Sequence, residues 1–420
     1  MVLTRKKGAV LAGTLLCLAV AACGSASNNS GSGGTSSSGA SGGSSSATTS
    51  GAAVPVGIIG SFSGPQGAAL VGAEFAVKAW TDWVNADGGL AGHPVKLFVV
   101  DDADNASQAL TGVKTLVQTD HVVAIVGEMS DQDQTWAKYI QGTGVPVVGG
   151  LPQDTPFGSN PDFYSAGAGN IALSAGTLAV ARKYGKKFGV LYCAEAPVCA
   201  QLIPIEKAAG VPYGVDLSFS QSILATAPSY TAECEAIKSA GLQSYQIAEA
   251  QPIVARVAAD CKQAGVTATL VGGGGTIDLA SLSDPAENGA VGVELDFPFS
   301  ADSNAATRQF QAAIKRYAPN IGQAMGPSAT YAWASGMLLE AAVKASGTSD
   351  VTPASIKNGL YALPKGTTLG GLAPPLTFTK GKPSVVTCWF TDKVSGGKLL
   401  LPDGLKTTCA LPAAVKAITP

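Results

Sequence analysis

Charge and histidine are scarce in this chain of 420 residues. Charged side chains make up 13% of it, and its two histidines, His93 and His121, lie far apart. No Ser/His/Asp set falls at a workable spacing, which argues against a hydrolase; no enzyme activity is expected. No two cysteines are separated by two residues, so the usual zinc pattern is missing, and neither a metal nor a cofactor is expected. The glycine run at 272–275 lacks a following Lys-Ser/Thr and reads as a tight turn, not a phosphate loop. Lysine and arginine number 27 against 29 acidic residues, for a net charge of -2. No basic patch is available for nucleic acid or for electrostatic adhesion to a membrane.

Apolar residues are plentiful at 46%. A chain this long with so much apolar side chain is expected to form two lobes of ordinary domain size. The amino terminus reads as a targeting segment. Arg5, Lys6 and Lys7 precede an apolar stretch, residues 8–22, that is too short to span a bilayer comfortably. The stretch ends Val20-Ala21-Ala22-Cys23, which resembles the bacterial lipoprotein box. The resemblance implies a signal peptide over 1–22 and a diacylglyceryl group on Cys23. Its loss removes three basic side chains and no acidic ones. Residues 24–53 are nearly all Gly, Ser, Ala, Thr and Asn, a composition that buries nothing and suits a flexible tether over 23–53.

Of eight cysteines, Cys17 leaves with the signal and Cys23 carries the lipid. Export permits disulfides among the other six. Six cysteines can pair in many ways; pairing of sequence neighbours is taken here, as Cys193–Cys199, Cys234–Cys261 and Cys388–Cys409.

From Val54 onward, strands and helices alternate. Aliphatic strands are expected at 56–59, 95–100, 122–126 and 145–148, then at 188–192, 215–219, 244–247, 268–271 and 291–295. Helices are expected at 69–85, 106–118, around Trp136 and Ile140, and at 230–240, 252–264, 305–317 and 329–345. The stripe Ala73, Ala76, Val77, Trp80, Trp83 and Val84 marks the first of them. Solidly aliphatic strands between amphipathic helices mean α/β architecture with parallel sheets covered on both faces. The tail from Leu376 is strand-like and rich in turns.

Three segments carry a family resemblance: residues 56–65 (VGIIGSFSGP), 84–95 (VNADGGLAGHPV) and 101–109 (DDADNASQA). They resemble the type I periplasmic-binding family, in its leucine/isoleucine/valine-binding branch. The resemblance implies two doubly wound parallel-sheet lobes with a hinge of three crossings. The first lobe takes 54–168 plus 300–372, and the second 169–299 plus 373–420. It implies a solute-binding component of an ABC importer, a monomer held by its lipid on the extracytoplasmic face of the cell membrane. Its partners are a small polar solute (an amino acid, an amide or a relative) and a membrane permease. A lipid-anchored sensor that presents its solute to a signalling partner is the alternative.

In this family the solute sits at the carboxyl ends of strands, where helix N-termini offer free N–H groups. That rule names Ser61, Phe62 and Ser63; Ser130, Asp131 and Gln132; Leu151 and Gln153; Glu195; and Glu249 with Gln251. Departures from the amino-acid binders are expected. Asp131 stands where a hydroxyl holds the ligand carboxylate, with Ser130 beside it. Ala69 stands in place of the aromatic lid. Ile253 stands in place of the acid that grips the ammonium. A charged Asp131 facing a carboxylate repels it in a poorly screened cleft, which favours a polyol, an amide or a cation. Ser130 and Asp133 also fit a helix cap. Asp101 and Asp102, at a strand end, are expected to accept backbone N–H bonds rather than touch ligand.

Overall fold

The computed structural model describes residues 51–64, 67–194 and 197–419. Residues 1–50, with the signal segment, Cys23 and most of the tether, lie outside the described residues. So does Glu195. Where the description starts, Gly51 N donates to Gly92 O at 3.3 Å.

The first lobe opens with β1 (Val54–Gly60), α1 (Gly67–Ala86), β2 (Val95–Asp101), α2 (Ala106–Gln118), β3 (Ala124–Glu128), α3 (Ala137–Gln141), β4 (Val147–Gly150), α4 (Thr155–Ser159) and β5 (Phe163–Tyr164). Its five strands run parallel in the order β2-β1-β3-β4-β5. The period-two pleat sends alternate side chains to opposite faces. Val56 and Ile58 of β1, Val126 of β3 and Val148 of β4 join one apolar cluster. Ile59, Ile125 and Val147 join another with Val113, Leu116, Trp136 and Ile140. Both faces are therefore dry, which is why these strands lack polar alternation.

The second lobe runs α5 (Asn170–Tyr184), β6 (Lys187–Cys193), α6 (Pro197–Tyr213), β7 (Asp216–Ile223), α7 (Thr231–Ser239), β8 (Ser244–Ala248), α8 (Gln251–Gln263), β9 (Thr269–Gly273), α9 (Leu279–Ser283) and β10 (Val291–Glu294). The chain then returns to the first lobe for α10 (Ala305–Tyr317), α11 (Pro327–Ser346) and α12 (Pro353–Ala362). It finishes in the second lobe with β11 (Cys388–Ser395), β12 (Lys398–Leu400), β13 (Thr408–Cys409) and α13 (Pro412–Ile418). The second sheet has the order β12-β11-β10-β9-β8-β6-β7, with β13 pairing β11. Here the architecture departs from a purely parallel lobe. β11 joins β10 antiparallel, and β12 and β13 join β11 antiparallel, so the sheet is mixed.

Three segments cross between the lobes, and they bond to one another. Ala168 N donates to Leu295 O at 2.7 Å, Gly169 N to Val386 O at 3.4 Å, and Phe297 N to Leu372 O at 3.1 Å. Backbone groups that would otherwise be stranded at the waist are thereby satisfied.

Helix α11 is what ties the third segment into the first lobe. It lies against α1, β3 and β4, and is buried on nearly every side. A helix apolar all round belongs inside a core. Its Trp333 ring lies 5.7 Å from Trp83 of α1 and 5.6 Å from Phe310 of α10, and Phe310 in turn meets Phe297 at 5.1 Å. At Gly336 the helix makes room for Trp80, since a Cβ there would sit 2.4 Å from the indole. Helix α12 is fastened to the strand edge by Lys357 Nζ to Asp162 Oδ1 at 2.6 Å and by the Tyr164–Tyr361 hydroxyl pair at 2.6 Å.

The three expected disulfides are present. Cys234 and Cys261 join the neighbouring helices α7 and α8, and Cys388 faces Cys409 directly across β11 and β13.

Two measurements follow from this packing. Gly336→Ala should cost about 1–3 kcal/mol of unfolding free energy by overpacking Trp80, read from urea melts. Glu206, on α6, is wholly buried with neither carboxyl oxygen bonded, and burial pushes it up to about 8. Its folded pKa lies above its unfolded one, so the associated stability is full at low pH and is lost as pH rises through about 8. Glu206→Gln should therefore gain on the wild type from pH 5 to pH 8 and level off by pH 9. A pH-independent difference would contradict this.

Candidate functional site

The rim of the first lobe is organised by two adjacent aspartates. Asp101 Oδ1, at the end of β2, accepts from Phe62 N at 3.1 Å, Ser63 N at 3.2 Å and Ala103 N at 2.9 Å. Partial burial raises this carboxyl's pKa, but bonds from Ser63, Ala103 and Phe62 outweigh that and hold it below the ordinary value. Asp102 is fully buried. Its Oδ1 accepts from Ser61 Oγ at 2.7 Å and from Asp104 N at 2.9 Å, and its Oδ2 accepts from Ser130 Oγ. One carboxylate thus joins the loops after β1, β2 and β3, as expected for a strand-end acid.

The consequence for the candidate residues is direct. Ser61 and Ser130 are fully buried and their hydroxyls are spent on Asp102. Ser61 Oγ also accepts from Asp131 N at 3.3 Å, and Ser130 Oγ from Gln132 N at 3.2 Å. Gln132 Nε2 donates to Asp104 Oδ1 at 2.8 Å. Phe62 is buried and Ser63 exposed. Asp131 reaches solvent, yet the protein around its carboxyl, then Asp104 and Asp102, push it up to about 6. The one-turn helix after β3 starts at Asp133, so Ser130 is not its cap.

The interlobe cavity is elsewhere along the same rim, with a volume of about 140 Å³. Leu151 and Gln153, after β4, line it together with Leu70 from the start of α1. From the second lobe come Gln251, Pro252, Gly274, Gly275 and Asp278. Its remaining wall is the connecting segment through Met325, Gly326, Pro327, Ser328 and Tyr331. The cavity therefore gathers Leu151, Gln153 and Gln251 from the strand-end candidates, while Ser61, Phe62, Ser63, Ser130, Asp131, Gln132 and Glu249 do not line it. Ala69, at the lid position, does.

Sequence reasoning missed the 323–331 segment and Asp278 as walls, while Gly274 and Gly275 belong to the strand-end loop 272–275 that the same rule points to. The first is a helix start, not a strand end; Gly326 and Pro327 before the apolar run of α11 were the available signal. Gly274 and Gly275 adopt φ of 60° and 101°, and Gly273 N donates to Thr276 Oγ1 at 2.8 Å, closing the turn.

The cavity's chemistry is mainly neutral. Among the described residues no lysine or arginine lines it, and Asp278 is its one acid. Asp278 caps α9 by accepting from Ser281 N at 3.0 Å. Gln251 Nε2 is held by Ser281 Oγ at 3.2 Å and Glu287 Oε1 at 3.1 Å. Helices α8 and α11 both begin at the wall, each with a proline in its first turn, and Ile253 N and Ala329 N turn back to Ala250 O and Gly326 O. Buried Tyr331 presents a hydroxyl with no partner. Burial, then Glu294, Asp296 and Asp392, keep that phenol protonated well beyond its ordinary range. Those three carboxyls are themselves raised, chiefly by burial, Asp392 to about 7.

Comparison with known proteins places this geometry. A family model described as periplasmic binding protein matches residues 53–398. No curated protein matches the sequence. Among solved structures, an extracellular ligand-binding receptor from Verminephrobacter eiseniae is 20% identical, with a TM-score of 0.73 over 83% of this chain and 99% of its own. An ABC-transporter solute-binding protein from R. palustris in complex with benzoate is 18% identical, with a TM-score of 0.70 over 86% and 98%. A branched-chain amino acid ABC transporter protein from Thermus thermophilus with bound valine is 15% identical, with a TM-score of 0.75 over 87% and 98%. The likeness to these three is one of fold, and the match that spans most of the sequence settles the kinship: the chain belongs to the type I periplasmic binding proteins.

Proposed function

We propose that this protein is the extracytoplasmic solute-binding lipoprotein of an ABC importer, and that its interlobe cavity takes a small, largely apolar solute carrying one carboxylate. The observation that carries this reading is the cavity wall. Leu70, Leu151, Pro252, Met325 and Pro327 supply apolar surface, and Gln153 and Ser328 supply neutral polar groups. A space of about 140 Å³ matches a benzene-sized body, since a dry cavity of about 150 Å³ in another protein takes benzene. With no basic side chain on the wall, a carboxylate would rest on neutral donors and on the starts of α8 and α11. The benzoate and valine named for the two structural relatives are solutes of this kind. Asp278 offers a place for an ammonium if the solute is an amino acid. Closure of the two lobes about the bonded crossings would present an altered face to the permease.

Calorimetric titration tests the reading, with benzoate, valine and leucine set beside neutral amides and polyols. The carboxylates should bind at micromolar Kd and the neutral solutes should not. Gln153→Leu should weaken binding about 10-fold or more, the loss of one bond to a charged group. Leu151→Trp should abolish binding by filling the space. Polyol or amide binding with no response to carboxylates would overturn the assignment.

The anchor is tested separately. Cys23→Ser should leave the chain uncleaved or release it from the membrane fraction. Wild-type processing and retention in that variant would refute lipidation at this residue.

A further inference from the structure

Behind the cavity's first-lobe wall three carboxylates meet. Glu128 ends β3, Asp133 opens the single turn Asp133–Thr135, and Asp154 precedes α4. One oxygen from each lies within 4.8 Å of the other two. Glu128 is fully buried and Asp133 is 2% exposed. Glu128 Oε1 accepts from Ser130 N at 2.6 Å. Glu128 Oε2, Asp133 Oδ2 and Asp154 Oδ2 are buried with no hydrogen-bond partner. The ion pairs found among the described residues are Lys78–Glu74, Lys238–Glu235 and Lys357–Asp162, and none involves these acids.

Three converging buried carboxyl oxygens with no partner call for protons, water or a cation to compensate them. The donor set is all oxygen, with no imidazole or thiolate, which selects a hard divalent cation over zinc or copper. Size selects further. Two oxygens on one calcium ion at about 2.4 Å lie at most about 4.8 Å apart, whereas magnesium at about 2.1 Å demands a tighter cage. We propose that Glu128, Asp133 and Asp154 bind one calcium ion, which cross-links the loop after β3 to the loop after β4. These loops already touch: Leu151 N donates to Glu128 O at 2.9 Å, and Asp154 N to Leu151 O at 3.0 Å. The ion therefore stiffens the stretch that carries Leu151 and Gln153 to the cavity wall, without itself meeting the solute. The cysteine and histidine pattern in the sequence is blind to such a site, because its ligands are carboxylates spread over the stretch 128–154.

The full-length chain, stripped with EDTA and desalted, is titrated with CaCl2 by calorimetry and melted at pH 7.5, with MgCl2 and KCl at matched ionic strength as controls. One calcium per chain should bind, and at a hundredfold excess over Kd the Tm should rise by about 3–5 °C. Magnesium should shift it less and potassium not at all. Asp133→Asn relieves repulsion among the acids, so its metal-free Tm should be no lower than wild type, while its calcium response should vanish. Asp154→Asn should lose the response in the same way. Absence of calcium binding by the wild type, an equal shift from KCl, or a calcium shift that survives in either variant would each overturn the site.

Discussion

The Asp102 carboxylate is the constraint on which the first lobe's working edge depends. A parallel sheet delivers its strand ends to one rim, but nothing in the sheet itself decides how the departing loops are arranged. Asp102 decides it by accepting from Ser61 and Ser130 at once. Buried and bonded at both oxygens, the charge is compensated, and removal of either hydroxyl would leave an acceptor short in a dry place. The hydroxyls that look like ligand donors in the sequence are consumed in holding the rim together. The interlobe cavity lies further along the rim, at the loop after β4 and the start of α11.

The second lobe answers with a different economy. Its wall is made of a glycine turn and two helix starts, and its polar side chains are tied back to their own lobe, as Gln251 is to Ser281 and Glu287. A face preset in this way loses little freedom when the lobes meet over a solute. Behind Tyr331 lie Glu294, Asp296 and Asp392, carboxyls raised by burial near the crossings. An apolar cavity backed by acids whose charge burial disfavours suits a solute whose own charge is met by backbone dipoles.

The repeating architecture was plain in the sequence because it is written in period. Ala106–Gln118 and Ala305–Tyr317 coincide with the helices that the apolar spacing marks. The antiparallel tail was harder to read. Strand β11 buries Thr391 and Asp392 among aromatics, so it shows neither alternation nor an aliphatic run. The cavity was half legible. Leu151, Gln153 and Gln251 follow strands, as the strand-end rule requires, but Tyr331 and Met325 reach the cavity from a helix more than fifty residues beyond the turn at Gly274. Which of the adjacent strand-end residues Ser130 and Asp131 turns inward is a matter of side-chain geometry that spacing does not encode, and so Ser130 read as a ligand group.

The threefold crossing also dictates an order of events during maturation. Helix α11 completes the first lobe's core, yet roughly 160 residues, most of them in the other lobe, separate it from β5. The second sheet in turn waits for β11, near the end of the chain. Neither half can become a finished body until almost the whole polypeptide has emerged, and long-range closures of this kind are slow. The same interleaving that bonds the waist at Leu295 and Leu372 makes each lobe wait for the other, so the last strands to be made are also the ones that close the fold.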